Sequence, residues 1–262
     1  MWKLLLLERL LVKLARSKHH DKFIFKGGLL LSYYMVIARE TTDIDFLAQK
    51  LQAEIPQLKN MLSEICDINV ADGFTMSLQN IDELDHNHMN YPGYRAKLNV
   101  KFGNMKDRIQ IDIGVGDVVE PKEISWSLYK YKGQPFFEDL ILLKAYPAET
   151  IFSEKLETIV SRGAANSRMK DFHDILLLCR KDNLINVEKL MQSIQATFRN
   201  RNTEITIPLF FSEDERIRLQ AYWSEHLRTL DNEMRIALNL PSEITEVVDE
   251  VNAWLARLKY RE

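Results

Sequence analysis

The sequence is poor in cysteine and carries no excess of positive charge, and each shortage excludes a class of protein. Two cysteines in 262 residues, Cys66 and Cys179, cannot form a disulfide framework, and both lie in apolar helical patterns typical of buried thiols. This cysteine usage indicates a reducing compartment. A net charge of -3 provides no overall basic field, so any contact with RNA or DNA requires a local patch.

Long apolar runs are also missing. The leucine-rich start is interrupted by Glu8 and Arg9 after four leucines, which is too short for the apolar core of a signal peptide. Four leucines have helical spacing instead and predict an amphipathic core helix: Leu4, Leu7, Leu11 and Leu14. Because no run is long enough to cross a bilayer, we expect a cytoplasmic protein without membrane segments.

The chain divides into a half rich in strand patterns and a half rich in helical patterns. The clearest strand signal is a hairpin over residues 94–113, with a turn at Gly103-Asn104. From about Phe136 onward nearly every segment, including FFEDLILLKAY, has helical period. We therefore predict an α+β fold, with a mixed sheet and flanking helices in residues 1–135 and a helical domain in residues 136–262.

One stretch, FKGGLLLSYYMVIARETTDIDF (residues 25–46), begins with a pattern that suits a phosphate site. Gly27 and Gly28 end a predicted strand and open a predicted helix, where backbone N–H groups approach an anion closely. Ser32 follows one helical turn later, so its hydroxyl is expected near the same anion. Taken singly, a Gly-Gly pair is more often a turn, and the apolar run after it a buried helix.

Three aspartates are candidate metal ligands. Asp43 and Asp45 share one face of the next predicted strand, where two carboxylates repel each other unless a cation such as Mg²⁺ lies between them. Asp112, on the polar face of the strand RIQIDIGVGD, adds a third carboxylate that suits a metal ligand and a base. The commoner explanation for Asp112 alone is an ion pair with Arg108 or Lys97.

The helical half carries a lysine in an apolar arc and two aspartates. Lys155 lies within the apolar arc of IFSEKLETIVS, which is costly unless its charge reaches solvent or an anion. In MKDFHDILLLC, Asp171 borders the apolar arc and is the expected functional carboxylate, positioning Lys155 or a nucleotide base. For Asp174, on the far side, a solvated or helix-pairing role is equally open. Three further residues are expected at the surface: Glu154, Glu157 and His173.

Basic residues form two groups that could neutralise RNA phosphates if both lie in one cleft. The first group is Arg162, Arg168 and Lys170, and the second is Arg95, Lys97 and Lys101 on the polar face of the hairpin. A solvated surface is the commoner explanation for such residues.

The order KGG, Ser32, TTDIDF, IDIGVGD, SEKLETI and MKDFHDI resembles the AbiEii/AbiGii family of nucleotidyltransferase toxins. That family belongs to the nucleotidyltransferase superfamily with the DNA-polymerase-β-like fold. The resemblance runs from about Glu8 to about Arg180 and includes YPGYR and SRGAANSRMKDF. It implies a nucleotidyltransferase catalytic domain in residues 1–135 and a helical domain that completes a cleft for NTP and RNA.

The resemblance also implies roles for individual residues. Those that would hold the NTP triphosphate are Gly27, Gly28, Ser32 and Lys155. Those that would hold two Mg²⁺ ions are Asp43, Asp45 and Asp112, with Asp112 also acting as the base. The family's Lys/Arg-Asp-x-x-Asp motif matches Lys170, Asp171 and Asp174.

The implied reaction is the transfer of NMP from an NTP to an acceptor by the toxin of a type IV toxin–antitoxin or abortive-infection system that defends against phage. Some members of that group add nucleotides to the 3′ end of tRNA, so RNA is the expected acceptor and an AbiEi-like antitoxin the expected partner. The alternatives are a small-molecule (for example drug-modifying) nucleotidyltransferase and a non-catalytic nucleotide-binding or protein-interaction module. Relatives often have an extra segment before the helix that starts here at Glu8, so we expect that helix to be less well covered or the chain to start elsewhere.

Overall fold

The computed structural model describes residues 2–39, 41–49, 54–84 and 93–260. The chain forms two compact units, one of Met1–Tyr33 with Thr41–Pro147 and the other of Tyr34–Glu40 with Ala148–Glu262. Within the described ranges, no helix is long and apolar enough to span a membrane. Tyr91 and Pro92, the first two residues of the YPGYR signature, lie outside these ranges.

The first unit is built on a mixed sheet, and the predicted α+β class is confirmed. Its elements, in chain order, are α1 (Trp2–Arg16), β1 (Phe23–Lys26), α2 (Gly27–Tyr34), β2 (Ile44–Ala48), α3 (Ile55–Asp67), β3 (Phe74–Leu84), β4 (Gly93–Phe102), β5 (Met105–Val115), β6 (Lys122–Ser127), β7 (Lys130–Tyr131), β8 (Gln134–Pro135) and β9 (Leu140–Ala145). Seven of the described strands form one sheet in the order β3-β4-β5-β2-β1-β9-β6, and β7 pairs with β8. β2 and β5 are parallel, as are β1 and β9, whereas the other pairs of the large sheet are antiparallel.

The hairpin of β4 and β5 follows the predicted alternation of apolar and polar side chains. Its apolar face is buried, with Ala96 and Leu98 at 0% exposure. Its other face carries Arg95, Lys97 and Lys101. Burial of one face fixes the register, because a slip by one residue would exchange the two faces.

The leucine-rich helix α1 is well covered. Leu7 and Leu11 are fully buried and Leu14 nearly so, whereas Leu4 is 37% exposed. Three of the four leucines expected in the core are therefore there, and the expectation of a poorly covered helix is wrong.

Three secondary-structure predictions in the first unit are wrong. The apolar sequence LLLSYYMVIAR (residues 29–39) predicts a single buried helix, but α2 ends at Tyr34. The sequence DINVADGFTMSLQNIDEL (residues 67–84) predicts two strands joined around Asp72-Gly73, but in this segment the structure has the single strand β3. Leu140–Ala145, predicted as helix, is a strand buried at alternate residues, a period that the nearly all-apolar sequence LILLKA hides. The first unit consequently extends to Pro147, past the boundary expected near Pro135.

The second unit is helical, as the periodicity predicts. Its helices are α4 (Ala148–Arg162), α5 (Met169–Arg180), α6 (Val187–Asn200), α7 (Glu213–Thr229), α8 (Asn232–Ala237) and α9 (Ile244–Ala256). α5 packs against α4, α7 and α9, so it has neighbours on several sides. The segment Tyr34–Glu40, which ends shortly before the strand of Asp45, belongs to this unit.

Candidate active site

The first unit has the predicted strand–glycine–helix arrangement. β1 ends at Lys26, and α2 begins at Gly27, whose φ of +79° lies in the left-handed region. A Cβ on Gly27 would lie 1.8 Å from Oδ2 of Asp45, so only glycine permits this approach. Gly28 is half-buried in the first turn, and the exposed Ser32 donates its hydroxyl to the backbone oxygen of Leu29 at 2.6 Å.

Four charged residues lie side by side across four neighbouring strands. Lys26 pairs with Asp45 between β1 and β2, and Asp45 pairs with Asp112 between β2 and β5. Asp112 in turn pairs with Arg95 between β5 and β4. Residues directly opposite each other point to the same face of a sheet, so two adjacent carboxylates are flanked by two cations.

Arg95 forms a bidentate ion pair with Asp112. Its Nε lies 2.8 Å from Oδ1 and its Nη2 2.7 Å from Oδ2, and Gln110 donates to Oδ1 at 3.3 Å. The hydrogen bonds to Asp112 raise the pKa of Arg95, and so do the charges of Asp112, Asp43 and Asp45, against the effect of burial. The partner of Asp112 is thus Arg95, and not Arg108 or Lys97 as the sequence suggested.

The donor chemistry of the aspartates fits a divalent cation. Asp45 and Asp112 are in register on adjacent parallel strands, and Asp43 lies two residues before Asp45. Carboxylate oxygens are the ligands that Mg²⁺ prefers. In the part of the chain that the structure describes, no three His, Cys, Asp or Glu side chains already form a metal site, and both oxygens of Asp112 accept hydrogen bonds from Arg95.

Lys26 and Asp117 are two further charged residues of the candidate site that the sequence did not single out. The Lys26 ammonium donates to Asp117 Oδ2 and to the Tyr146 hydroxyl, each at 3.1 Å, and lies 4.6 Å from the centre of the Tyr146 ring. The available signal was the position of Lys26 directly before Gly27, in the KGG motif. A cation is thus fixed beside the glycines by a carboxylate 91 residues away in sequence.

In the second unit, Lys155 meets two carboxylates. Its Nζ lies 3.0 Å from Asp171 Oδ1 and 2.8 Å from Asp174 Oδ2. Burial lowers the pKa of Lys155, but the charges of Asp174 and Asp171 outweigh burial and raise it above its ordinary value. The structure therefore brings Lys155 and Asp171 together as expected. The anions beside the lysine are Asp171 and Asp174.

Asp174 is fully buried, so the solvated role that the sequence left open is wrong. Arg39 binds it with two hydrogen bonds, from Nη2 at 2.7 Å and from Nε at 3.1 Å, and Lys155 binds it as well. Burial opposes the charged form, but the nearby charges of Lys155 and Arg39 hold the pKa of Asp174 below its usual range. Arg39 could not be found by spacing, because it lies 135 residues before Asp174.

Three residues expected at the surface are buried or partly buried in ion pairs and hydrogen bonds. His173 has 0% exposure, and its Nδ1 lies 2.9 Å from Nε2 of His226. Glu157 is 5% exposed and accepts hydrogen bonds from Arg201 and Thr203. Glu154 lies 3.3 Å from Arg201. These contacts explain how α4 and α5 tolerate charge away from their apolar arcs.

Two of the predicted basic residues line a groove in the second unit. Arg168 and Lys170 are exposed, and the groove of about 390 Å³ is also lined by Tyr222, His226 and Thr229. Arg168 Nε also lies 3.3 Å from Asp171 Oδ2. In the first unit, Lys97 and Lys101 are exposed on β4.

Comparison with known proteins identifies a matching family and several structural neighbours. The family model described as nucleotidyl transferase AbiEii toxin, type IV TA system, matches residues 9–250. Two crystal structures from Helicobacter pylori, of JHP933 and of a candidate nucleotidyltransferase, share 14% sequence identity with the chain. They align over 98% of this chain and over 90% and 92% of their own, with TM-scores of 0.45 and 0.46. Comparison with curated protein sequences finds no match.

Proposed function

The chain belongs to the AbiEii family of nucleotidyl transferase toxins of type IV toxin–antitoxin systems, and on that premise we propose that it transfers NMP from an NTP to RNA, such as the 3′ end of tRNA. Family membership implies an NTP substrate and an antitoxin partner. The observation that carries the proposal is the pair of in-register carboxylates, Asp45 and Asp112, beside the backbone of Gly27. This arrangement joins a candidate metal site to a candidate phosphate site.

Asp43, Asp45 and Asp112 are the proposed ligands of two Mg²⁺ ions. When bound, the metal would neutralise charge that develops on the reacting phosphate. Asp112 is also the proposed base. It accepts the proton of the acceptor hydroxyl while that oxygen forms a bond to the α-phosphorus and the bond to the pyrophosphate oxygen breaks.

The phosphates of the NTP are proposed to bind at the start of α2. Backbone N–H groups at Gly27 and Gly28 are the proposed donors there, supported by the positive end of the helix. The hydroxyl of Ser32 is a further proposed donor, which gives up its hydrogen bond to the backbone oxygen of Leu29 when it binds the phosphate. Lys155 is a further proposed phosphate contact, in which the phosphate competes with Asp171 and Asp174 for the ammonium. In this scheme Asp171 acts by positioning Lys155.

RNA is the proposed acceptor because a groove in the second unit combines cations with aromatic side chains. Arg168 and Lys170 suit phosphates, and Tyr222 and His226 in the same groove are rings of the kind on which bases stack. The groove also contains one acidic residue, Glu225. We propose that the strand-rich half carries the transfer chemistry and the helical half contributes to NTP and RNA binding. The biological role proposed with it is that of a cytoplasmic toxin in phage defence, paired with an AbiEi-like antitoxin.

The test is a transfer assay with purified protein, Mg²⁺, each labelled NTP in turn and total tRNA. We expect label on RNA, lost in Asp43→Asn and Asp45→Asn. Asp139→Asn is the matched control, because this exposed aspartate of the same unit forms an ion pair with the exposed Lys130, and the variant should transfer label normally. Label on a small alcohol but on no RNA would identify a small-molecule nucleotidyltransferase, and no transfer to any acceptor would contradict the proposal.

Toxicity is tested by controlled expression in a bacterium. Growth should stop with the natural chain and continue with Asp43→Asn at equal protein level. Unimpaired growth with the natural chain would count against a toxin that acts on RNA.

A further inference from the structure

Arg95 is a cation that lies among the three candidate metal ligands. Its guanidinium donates to both carboxylate oxygens of Asp112, at 2.8 and 2.7 Å. Asp43 and Asp45 also act on it electrostatically, which places three negative charges near one positive charge. Part of the repulsion between these carboxylates is therefore relieved by a residue of the chain itself.

A divalent cation and Arg95 need the same oxygens. A bidentate guanidinium occupies the plane of the carboxylate, and its positive charge repels a metal ion bound to that carboxylate. Chelation of a metal by both oxygens of Asp112 thus requires Arg95 to withdraw at least in part.

The side chain of Arg95 has room to withdraw. Arg95 is 38% exposed and Asp112 23%, so the pair can open towards solvent without disrupting the core. The bidentate pair of Arg39 and Asp174 is different, at 14% and 0% exposure, because opening it would strand a charge in the interior. Of these two arginine–aspartate pairs, the one beside the candidate metal ligands is the one able to open.

We propose that Arg95 is a built-in counter-ion that holds Asp112 before a divalent cation binds and competes with that cation for it. Once displaced, the guanidinium is free to contact a phosphate of the NTP, since it remains next to the cation site on a neighbouring strand. Arg95 is thus a positioning residue for Asp112 and a phosphate contact afterwards. The inference rests on the proposed function, because it takes Asp43, Asp45 and Asp112 as metal ligands.

A purely structural ion pair makes the opposite prediction. If Arg95 only fixed the side chain of Asp112 in a productive position, removing it would weaken metal binding or leave it unchanged. If it competes with the metal, removing it strengthens metal binding, and the sign of the effect separates the two.

The experiment measures Mn²⁺ affinity by electron paramagnetic resonance of the free ion, using the full chain without NTP. Arg95→Ala should bind Mn²⁺ about tenfold more tightly than the natural protein, as expected for loss of a charge-assisted bidentate pair. Arg95→Lys keeps the charge and should stay within about threefold of the natural protein. Lys97→Ala removes a cation from the same face two residues along and should change the affinity less than about twofold.

The second arm measures binding of a non-hydrolysable NTP analogue at saturating Mn²⁺. Arg95→Ala should now bind about tenfold more weakly, so one substitution shifts metal and nucleotide affinity in opposite directions. Thermal unfolding of each variant checks that it is folded. Arg95→Gln keeps hydrogen-bond donors without the charge, so its Mn²⁺ and analogue affinities should lie between those of Arg95→Ala and the natural protein.

Unchanged or weaker Mn²⁺ affinity in Arg95→Ala overturns the inference, as does absence of Mn²⁺ binding in both proteins. Failure of the proposed function appears elsewhere, as absence of label transfer by the natural protein. The two failures are distinguishable because the metal titration contains neither NTP nor acceptor.

Discussion

Gly27 and Asp45 are in such close contact that a Cβ on the glycine would lie 1.8 Å from the Oδ2 of the aspartate and 2.4 Å from its Cγ. The carboxylate on β2 therefore rests against the first residue of α2. This contact joins the two parts of the candidate active site in the first unit, the helix start that suits a phosphate and the strand that suits a metal. A single substitution at Gly27 tests whether the transfer reaction depends on this contact.

Gly27→Ala should abolish most of the transfer activity. The alanine would be strained at a φ of +79°, by about 1–2 kcal/mol, and its methyl group would displace Asp45. A displacement of about 1 Å at a reacting group lowers rates by about 100-fold, which is the expected loss in the labelled-NTP assay.

The matched control for that substitution is Gly103→Ala in the β4–β5 turn. Gly103 also has a positive φ, +56°, but nothing lies within 4 Å of an added Cβ. Its free energy of unfolding should fall by about 1–2 kcal/mol through backbone strain, with normal transfer activity. Equal activity in Gly27→Ala and Gly103→Ala would show that the contact with Asp45 does not matter for transfer.

The sequence predicted those parts of the site that are local. The order of β1, Gly27, α2 and the strand of Asp45 is readable from the sequence, because these elements follow one another along the chain. Asp43, expected on that strand, lies directly before its first residue, Ile44. The Arg95–Asp112 pair can also be predicted from the sequence, although Arg108 or Lys97 was the expected partner of Asp112. A two-residue turn at Gly103-Asn104 pairs Phe102 with Met105, and counting outward from it places Arg95 opposite Asp112.

The contact of Lys155 with Asp171 was expected, but the burial of Asp174 and His173 could not be predicted, because it depends on packing between distant segments. A helical wheel divides α5 into an apolar arc and a far side. It puts Asp174 and His173 outside the apolar arc, which suggests that they face solvent. α5 is covered by α4, α7 and α9, so its far side is not solvent. The counter-charge of Asp174 comes from Arg39, in a segment expected to be helix, and no spacing rule connects the two.

Asp174→Ala should be strongly destabilising. It leaves Arg39 and Lys155 together without the fully buried carboxylate between them, at an expected cost of about 3–5 kcal/mol in the free energy of unfolding. Urea unfolding measures this loss. Asp249→Ala, an exposed aspartate of the same unit, should change the stability by no more than about 0.5 kcal/mol.

The stabilisation by Asp174 should depend on pH with a defined sign. Because the pKa of Asp174 is lowered in the folded state, its stabilisation is present above its ordinary value of 3.8 and is lost as the pH falls through the lower folded value. The stability difference between the natural protein and Asp174→Ala should therefore be constant from pH 5 to pH 8. A difference that shrinks within this range would contradict a carboxylate charged throughout.

Arg9→Met tests a second buried network, in the first unit. Arg9 is 1% exposed and lies 2.5 Å from Asp72 and 2.6 Å from Glu138, with its guanidinium 4.5 Å from the centre of the Phe137 ring. Removing the cation leaves Asp72 buried without it, so we expect a loss of about 3–5 kcal/mol in urea unfolding.

The control on the same helix is Arg16→Met. Arg16 contacts the same Glu138 at 2.8 Å but is 47% exposed, so its removal should cost less than about 1 kcal/mol. Similar losses for the two variants would show that the burial of Arg9 does not determine the strength of its ion pairs.

His173 should make the protein less stable in mild acid. The pKa of His173 is lowered from 6.5 to about 4, chiefly by burial. The attraction of Asp174 opposes this shift, whereas His226, Arg39 and Lys155 add to it. Below about pH 6.5 the unfolded chain binds a proton at this histidine that the folded chain does not bind until about pH 4. Stability is therefore lost as the pH falls through this window, by roughly 3 kcal/mol for this residue alone.

Urea unfolding at pH 7.5 and pH 4.5 separates His173 from the other groups that titrate in this window. His173→Phe loses the hydrogen bond to His226 and should be less stable than the natural protein at pH 7.5, yet it should lose less stability on acidification. His20→Asn, which removes an exposed histidine, should keep the full acid loss. An acid loss in His173→Phe as large as in the natural protein would mean that the histidine is not held neutral by burial. In that case the packing of α5 against α7, through His173 and His226, would not depend on the neutral form of His173.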